Sequence, residues 1–330
     1  MSKMEKRVET VAAGGATLFQ VTRPPLLWSA QKAATLLLIL ACCSMPTAEA
    51  QEPLQDNDGM DWPQWRGSLG TGEAPNARPP VEWSDTENVR WKTLIPGRGH
   101  STPIVWGNHL FVTTAIPVGP KLPPKRSGRP GAHDNLPVES KFQFVVLAIN
   151  RSNGEILWKR VVREALPVEG AHISASLASA SAVTDGEFVF AFFGSQGLFC
   201  LDFDGNVLWE KSFRQMHSKH GHGEGSSPAL WNNLLVVNWD QEDQSVIVAL
   251  YAHSGEEIWR RQRDEVTSWS TPIIVEQDDQ TQVIVAGTDR VRGYSLETGE
   301  DLWECGGMSA NIVATPVYRD GLLFVGSSYE

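Results

Sequence analysis

Residues 217–226 read HSKHGHGEGS, which places His217, His220, His222 and Glu224 within eight positions. Imidazole and carboxylate side chains suit divalent transition metals, so His220, His222 and Glu224 make a candidate metal set. Further candidates recur at one type of position. His100 in RGHSTP, His172 in EGAHISASLASAS, Trp269 in TSWSTP and Asn311 in SANIVATP all stand shortly before a small-residue segment, most often ending in proline. Trp269 could stack on an organic ligand, and Asn311 could orient one. Asp240, Glu242 and Asp243 have the ligand types of a calcium turn but lack the spacing and central glycine of a known loop. There is no Gly-x-Ser-x-Gly elbow, no phosphate-binding loop and no His-Glu-x-x-His. No residue is therefore assigned a catalytic role.

The elements that must position these residues repeat along the chain. A glycine stands four residues before a tryptophan four times: Gly154–Trp158, Gly205–Trp209, Gly255–Trp259 and Gly299–Trp303. The tryptophans lie 51, 50 and 44 residues apart, the period of a propeller blade, and a fixed spacing repeated four times argues against a generic β-sandwich with chance tryptophans. Runs such as FVVLAI and VIVAL before each glycine suit strands, and the glycine supplies the positive φ of a hairpin turn. Each unit then holds four strands, a to d, from the inner strand to the outer. The expected fold is an all-β propeller with blades over about 101–160, 179–211, 226–261 and 270–304, and the first half of another over 314–330. Trp91 sits in a segment, 88–95, that reads as a lone d strand. Trp91, Trp158, Trp209, Trp259 and Trp303 are expected to fill gaps between blades, each ring N–H finding a backbone carbonyl. A larger ring of seven or eight blades, with the chain continuing past Glu330, is expected; a five-bladed ring closed by 88–95 is the alternative. Antiparallel order places the d–a and b–c loops on one face, and five of the eight histidines fall in d–a loops. The insertion 117–140 in blade 1 reaches the same face. It carries Lys121, Lys125, Arg126 and Arg129, and reads as a solvated loop or a dock for an anionic partner.

The run Ala-x-Asn/Tyr-x-x-Ser/Asn-Gly-x-x-x-Trp at 148–158 and 249–259 resembles the tryptophan-docking repeat of pyrroloquinoline-quinone-type propellers. That group includes quinoprotein alcohol dehydrogenases and a lipoprotein subunit of the outer-membrane β-barrel assembly machinery. DWPQWRG (61–67), VNWDQEDQSVIVAL and SWSTPIIVE are similar to stretches of exported, planctomycete-type members. The resemblance implies either a non-catalytic binding or scaffold module or a periplasmic quinone- or metal-dependent oxidoreductase. The dehydrogenases carry pyrroloquinoline quinone on a calcium ion, beneath a disulfide between adjacent cysteines. The adjacent cysteines of this chain are Cys42 and Cys43, which lie in a leader. The binding module is the favoured reading, with no cofactor required.

Residues 1–50 combine a basic lead, the short apolar run Ala33–Ala41 and an Ala-x-Ala site at Ala48 and Ala50. This reads as a signal peptide cleaved after Ala50, followed by an extended segment over 51–87. The apolar run is too short to span a bilayer. Leu40 before Ala41 fits poorly with lipidation at Cys42 or Cys43. A net charge of −11 argues against nucleic acid. An exported, periplasmic location follows, with an envelope protein, a small ligand or a glycan as partner.

Overall fold

The computed structural model describes residues 10–13, 16–20, 61–277 and 279–328. The leader's apolar run and cleavage site lie outside these residues. The chain begins with a hairpin, β1 (Thr10–Ala13) and β2 (Ala16–Gln20). Four consecutive four-stranded antiparallel sheets follow. Blade 1 consists of β3 (Ile104–Trp106), β4 (His109–Val118), β5 (Lys141–Asn150) and β6 (Ile156–Ala165). Blade 2 consists of β7 (Val183–Thr184), β8 (Phe188–Phe192), β9 (Leu198–Asp202) and β10 (Val207–Lys211). Blade 3 runs through β11 (Ala229–Trp231), β12 (Leu234–Trp239), β13 (Ser245–Tyr251) and β14 (Glu257–Arg263). Blade 4 runs through β15 (Ile273–Gln277), β16 (Gln280–Ala286), β17 (Arg290–Ser295) and β18 (Asp301–Gly306). The apolar cores lie between neighbouring sheets. Phe190, Phe192 and Leu198 of blade 2 pack with Leu235, Val237 and Trp239 of blade 3, for example.

Three of the four Gly-x-x-x-Trp repeats form joints between blades, whereas the Trp303 ring N–H, expected to reach a carbonyl of a neighbouring blade, donates to Gln282 Oε1 within its own sheet. The ring N–H of Trp158 donates to the carbonyl of Phe203 in the next blade at 2.7 Å. Trp209 reaches Ala252 at 3.0 Å, and Trp259 reaches Leu296 at 2.8 Å. Each ring lies on the glycine of the following turn. A Cβ on Gly299, where φ is +69°, would stand 2.5 Å from the Trp259 ring. Two different needs, positive φ and the absence of a side chain, therefore fix glycine at this position. Trp91 docks in the same way, donating to the Arg151 carbonyl at 2.9 Å and covering Gly154. Residues 88–95 nevertheless belong to no strand. The segment keeps the tryptophan of a d strand without a ladder, because no described c strand lies inside it.

A second joint runs along the inner strands. The N–H of Thr102 donates to Ser181 Oγ at 2.9 Å, that of Ser181 to Ser227 Oγ at 2.9 Å, and that of Ser227 to Thr271 Oγ1 at 3.1 Å. The recurring hydroxyl before β7, β11 and β15 thus satisfies an N–H of the preceding blade that no ladder reaches. Segment 61–67 lies against these inner strands. The backbone of Trp62 pairs with Val105, the Pro63 carbonyl accepts from Thr184, and the Trp65 ring N–H donates to Thr315 Oγ1 at 3.0 Å.

The fifth sheet differs from the expected half-blade. β19 (Val317–Arg319) and β20 (Leu322–Val325) form its inner pair, and β2 adds to β20 with β1 outermost. Its outer strands therefore come from residues that the sequence assigns to a leader.

Candidate functional site

The d–a and b–c loops share one face, as strand parity requires. There they enclose a cleft of ≈ 660 Å³. Its floor is Trp65, and Ser181, Ser227, Thr271 and Thr315 stand at the entrance to the inner strands. His100, His172, His220, His222, Glu224, Trp269 and Asn311, the seven residues singled out in the sequence, all line it. His133 and Trp65 line it too, and the sequence reading had not included them. His133 lies in the blade 1 insertion, and the parity rule that placed the d–a histidines on this face could have found it. Trp65 carries no comparable signal, because nothing in its local pattern says that segment 61–67 meets the inner strands.

The insertion between β4 and β5 is largely exposed, as a solvated loop would be, but it is bonded at several points to itself and to the neighbouring crossovers. Lys125 and Val138 bridge across it. The Leu136 N–H donates to Ala171 at 2.9 Å, and the Ile173 N–H to Asp134 at 2.8 Å. Asn135 Nδ2 donates to the His220 carbonyl at 2.7 Å. Its basic residues are partly spent on this packing. Arg129 pairs with Glu169 at 2.9 Å and Lys121 with Glu139 at 3.0 Å. Glu169 also meets His217 Nδ1 at 3.1 Å and accepts from the Ser218 N–H at 3.2 Å. Burial alone would raise the Glu169 carboxyl, but the bonds from Arg129, His217 and Ser218 outweigh it and hold the group below its ordinary value. The glycines of HSKHGHGEGS serve close approach. A Cβ on Gly221 would stand 2.1 Å from Ser127 Oγ, and, from the insertion's side, one on Gly131 would stand 2.6 Å from the His220 ring.

Four imidazoles gather at the mouth. His222 is central, with ring centroids 4.7 Å from His133, 4.8 Å from His172 and 5.3 Å from His220. Burial, then the neighbouring imidazoles, push the His222 ring down to about 4, so it is neutral at pH 7. Its Nε2 is buried without a hydrogen-bond partner. Glu224 does not join this group, so the set His220, His222 and Glu224 does not converge. Its carboxylate turns into blade 2, where the Ser195 N–H donates to it at 2.6 Å. Burial pushes its carboxyl up to about 7 against that bond and the one from the Ser195 hydroxyl. The described residues do bring His133, Asp134 and His172 together, with ligand atoms within 4.8 Å of one another.

The remaining candidates are held by the frame. Trp269 donates its ring N–H to the Gly223 carbonyl at 2.7 Å, which fixes it as a wall 6.5 Å from the His222 ring. Asn311 takes a left-handed φ of 61°, and its Oδ1 is buried without a partner. The suggested calcium turn is occupied from within. Asp240 accepts from Arg263 at 2.7 Å and from Ser268 at 2.6 Å, and Glu242 accepts from the Thr267 hydroxyl at 2.8 Å. These carboxylates are needed to satisfy a buried guanidinium and a loop backbone.

The quinone that the sequence resemblance implies would need an oxygen-ligated cation. Glu224, Asp240 and Glu242 are engaged as described, and no group of three carboxylates converges among the described residues. Cys200 and Cys305 are free, and burial pushes the Cys200 thiol up to about 12, so it is inert. Among the described residues, these side chains do not assemble the ligand set of a calcium-held quinone.

Blades joined through tryptophan docks, with loops enclosing a cleft on one face, define a β-propeller of the pyrroloquinoline-quinone-like class. The family model described as outer membrane protein assembly factor BamB matches residues 81–218 and 142–330, and the chain belongs to this family. Among solved structures it is similar to a quinohemoprotein alcohol dehydrogenase from Pseudomonas putida HK5. That pair has 13% identity and a TM-score of 0.40, over 66% of this chain and 35% of the other. The corresponding enzyme of Comamonas testosteroni shows 11% identity and a TM-score of 0.44, over 67% and 38%. BamB of Moraxella catarrhalis shows 15% identity and a TM-score of 0.29, over 60% and 79%. The chain thus spans well under half the length of either dehydrogenase. No curated protein matches it. Among the described residues no helix is long and apolar enough to cross a membrane.

Proposed function

We propose that this chain is an exported, non-catalytic binding module that takes up its ligand through the cleft on its d–a/b–c face. One observation carries the reading. Loops entering the four blades and the fifth sheet, together with the blade 1 insertion, converge on a single ≈ 660 Å³ space lined by imidazoles, Trp65 and Trp269. That volume lies in the usual range for small-molecule sites, which are mostly apolar with a few fixed polar groups. The fit favours a small organic ligand, or one projecting group of an envelope protein. The family's description as an assembly factor supports a partner-binding role in the envelope.

The test is a photo-cross-linkable residue placed at Ser174 in the cleft or at Ser152 in a c–d turn of the opposite face, in the full chain within its native envelope. Cross-links from position 174 alone are expected. Equal cross-linking from both positions, or none from 174, overturns the reading. Its non-catalytic part is tested by adding quinone and calcium to the purified chain and offering alcohols with an acceptor dye. No turnover is expected, and calcium-dependent turnover would establish the oxidoreductase instead.

A further inference from the structure

We propose that His133, His172, His220 and His222 form a binding site for a divalent transition-metal cation of the zinc, copper or nickel kind. The site deepens the reading of the cleft as the binding site, and its donors come from three separate segments. His133 arrives on the blade 1 insertion, His172 on the crossover into blade 2, and His220 and His222 on the crossover into blade 3. Four imidazoles around one ion, with metal–nitrogen bonds of about 2.0–2.1 Å, place ring centroids about 5 Å apart. The rings in contact here are separated by 4.7, 4.8, 5.3, 5.7 and 6.2 Å. The ligand atoms of His133, Asp134 and His172 already lie within 4.8 Å of one another. The donor atoms of His220 and His222 lie outside that group, so their rings must turn for them to join it.

The outer contacts of the rings support the assignment. A metal-binding histidine commonly gives its other ring nitrogen to an oxygen, which orients the ring and fixes its tautomer. His220 Nδ1 donates to the Pro130 carbonyl at 2.7 Å. His172 Nδ1 accepts from the Ser174 N–H at 3.2 Å and lies 2.7 Å from its Oγ, so metal binding through Nε2 requires the tautomer in which Nδ1 donates to that hydroxyl. His133 Nδ1 stands 3.5 Å from the Asp134 carboxylate. His220 thus has Nε2 left over, and the central ring, His222, has its Nε2 buried with no partner. Imidazole nitrogens select zinc, copper or nickel over calcium or magnesium, which prefer oxygen. Backbone bonds between the segments, such as His172 N–H to the His222 carbonyl at 2.9 Å, hold the chain positions of the four histidines together.

The experiment uses the full chain without a histidine tag, stripped with chelator and titrated with cobalt(II). One equivalent should bind and give intense visible d–d bands, which zinc then abolishes. His133→Ala and His222→Ala should each remove the bands, whereas His253→Ala, on the opposite face, should keep them. The absence of bands in the wild type, their survival in both cleft variants, or their loss in His253→Ala overturns the site. His133 is exposed on its loop, so His133→Ala decides the matter even if His222→Ala fails to fold. Cobalt binding without cross-links from position 174 keeps the metal site and removes the ligand reading. Cross-links without cobalt binding do the reverse.

Discussion

At the scale of single residues, the docking tryptophans and the carboxylate under the insertion have measurable jobs. Trp259 is buried and bonded into the next blade, so Trp259→Ala should cost about 3–5 kcal/mol in urea unfolding. Trp303→Ala should cost less than half as much, because its N–H meets Gln282 within its own blade. Gly299→Ala should also destabilise, since the new Cβ meets the Trp259 ring at a backbone angle that alanine resists. Glu169 gives a pH dependence whose sign follows from its depressed pKa. Its contribution is full above the ordinary glutamate value and is lost as pH falls through the lower folded one. Thermal midpoints measured from neutral to strongly acidic pH should therefore fall more steeply in the wild type than in Glu169→Gln. An equal fall in both would mean that the bonds from Arg129 and Ser218 contribute nothing.

At the scale of elements, the blade 1 insertion delivers a donor and covers two crossovers. Replacing residues 120–139 with a short turn should keep the far-ultraviolet circular dichroism of the blades, because β4 and β5 pair along their full length without it. The same change should make the crossover at 217–222 susceptible to trypsin at Lys219, now that Asn135 and Pro130 are gone. This element also shows what the sequence could and could not reveal. The Gly-x-x-x-Trp spacing gave away the blades because one local motif carries both the turn and the dock. Strand parity then assigns His100, His172 and His222 to one face from the sequence alone. The direction of Glu224 was not legible, since its partner Ser195 lies 29 residues away in another blade. The recurring serines and threonines were visible, but their task appears only when neighbouring inner strands stand side by side.

At the scale of the whole molecule, Thr10–Ala13 and Ala16–Gln20 are the outer strands of the fifth sheet and also part of the expected leader. N-terminal sequencing of the chain recovered from the envelope should begin at Gln51, which would leave β19 and β20 without β1 and β2. A start near Met1 would instead make the hairpin a permanent part of that blade. The docks carry a further consequence, because each one points the same way along the chain. The ring of Trp158 waits for Gly205, that of Trp209 for Gly255 and that of Trp259 for Gly299, which follow 47, 46 and 40 residues later. At synthesis rates of about 5–20 residues per second, each tryptophan stays uncovered for roughly 2–10 s after it is made. For Trp91 the blade 1 insertion lengthens that wait. A growing chain therefore always shows one unpaired indole at its newest edge, and a chaperone that recognises exposed aromatic rings would meet this protein once per blade.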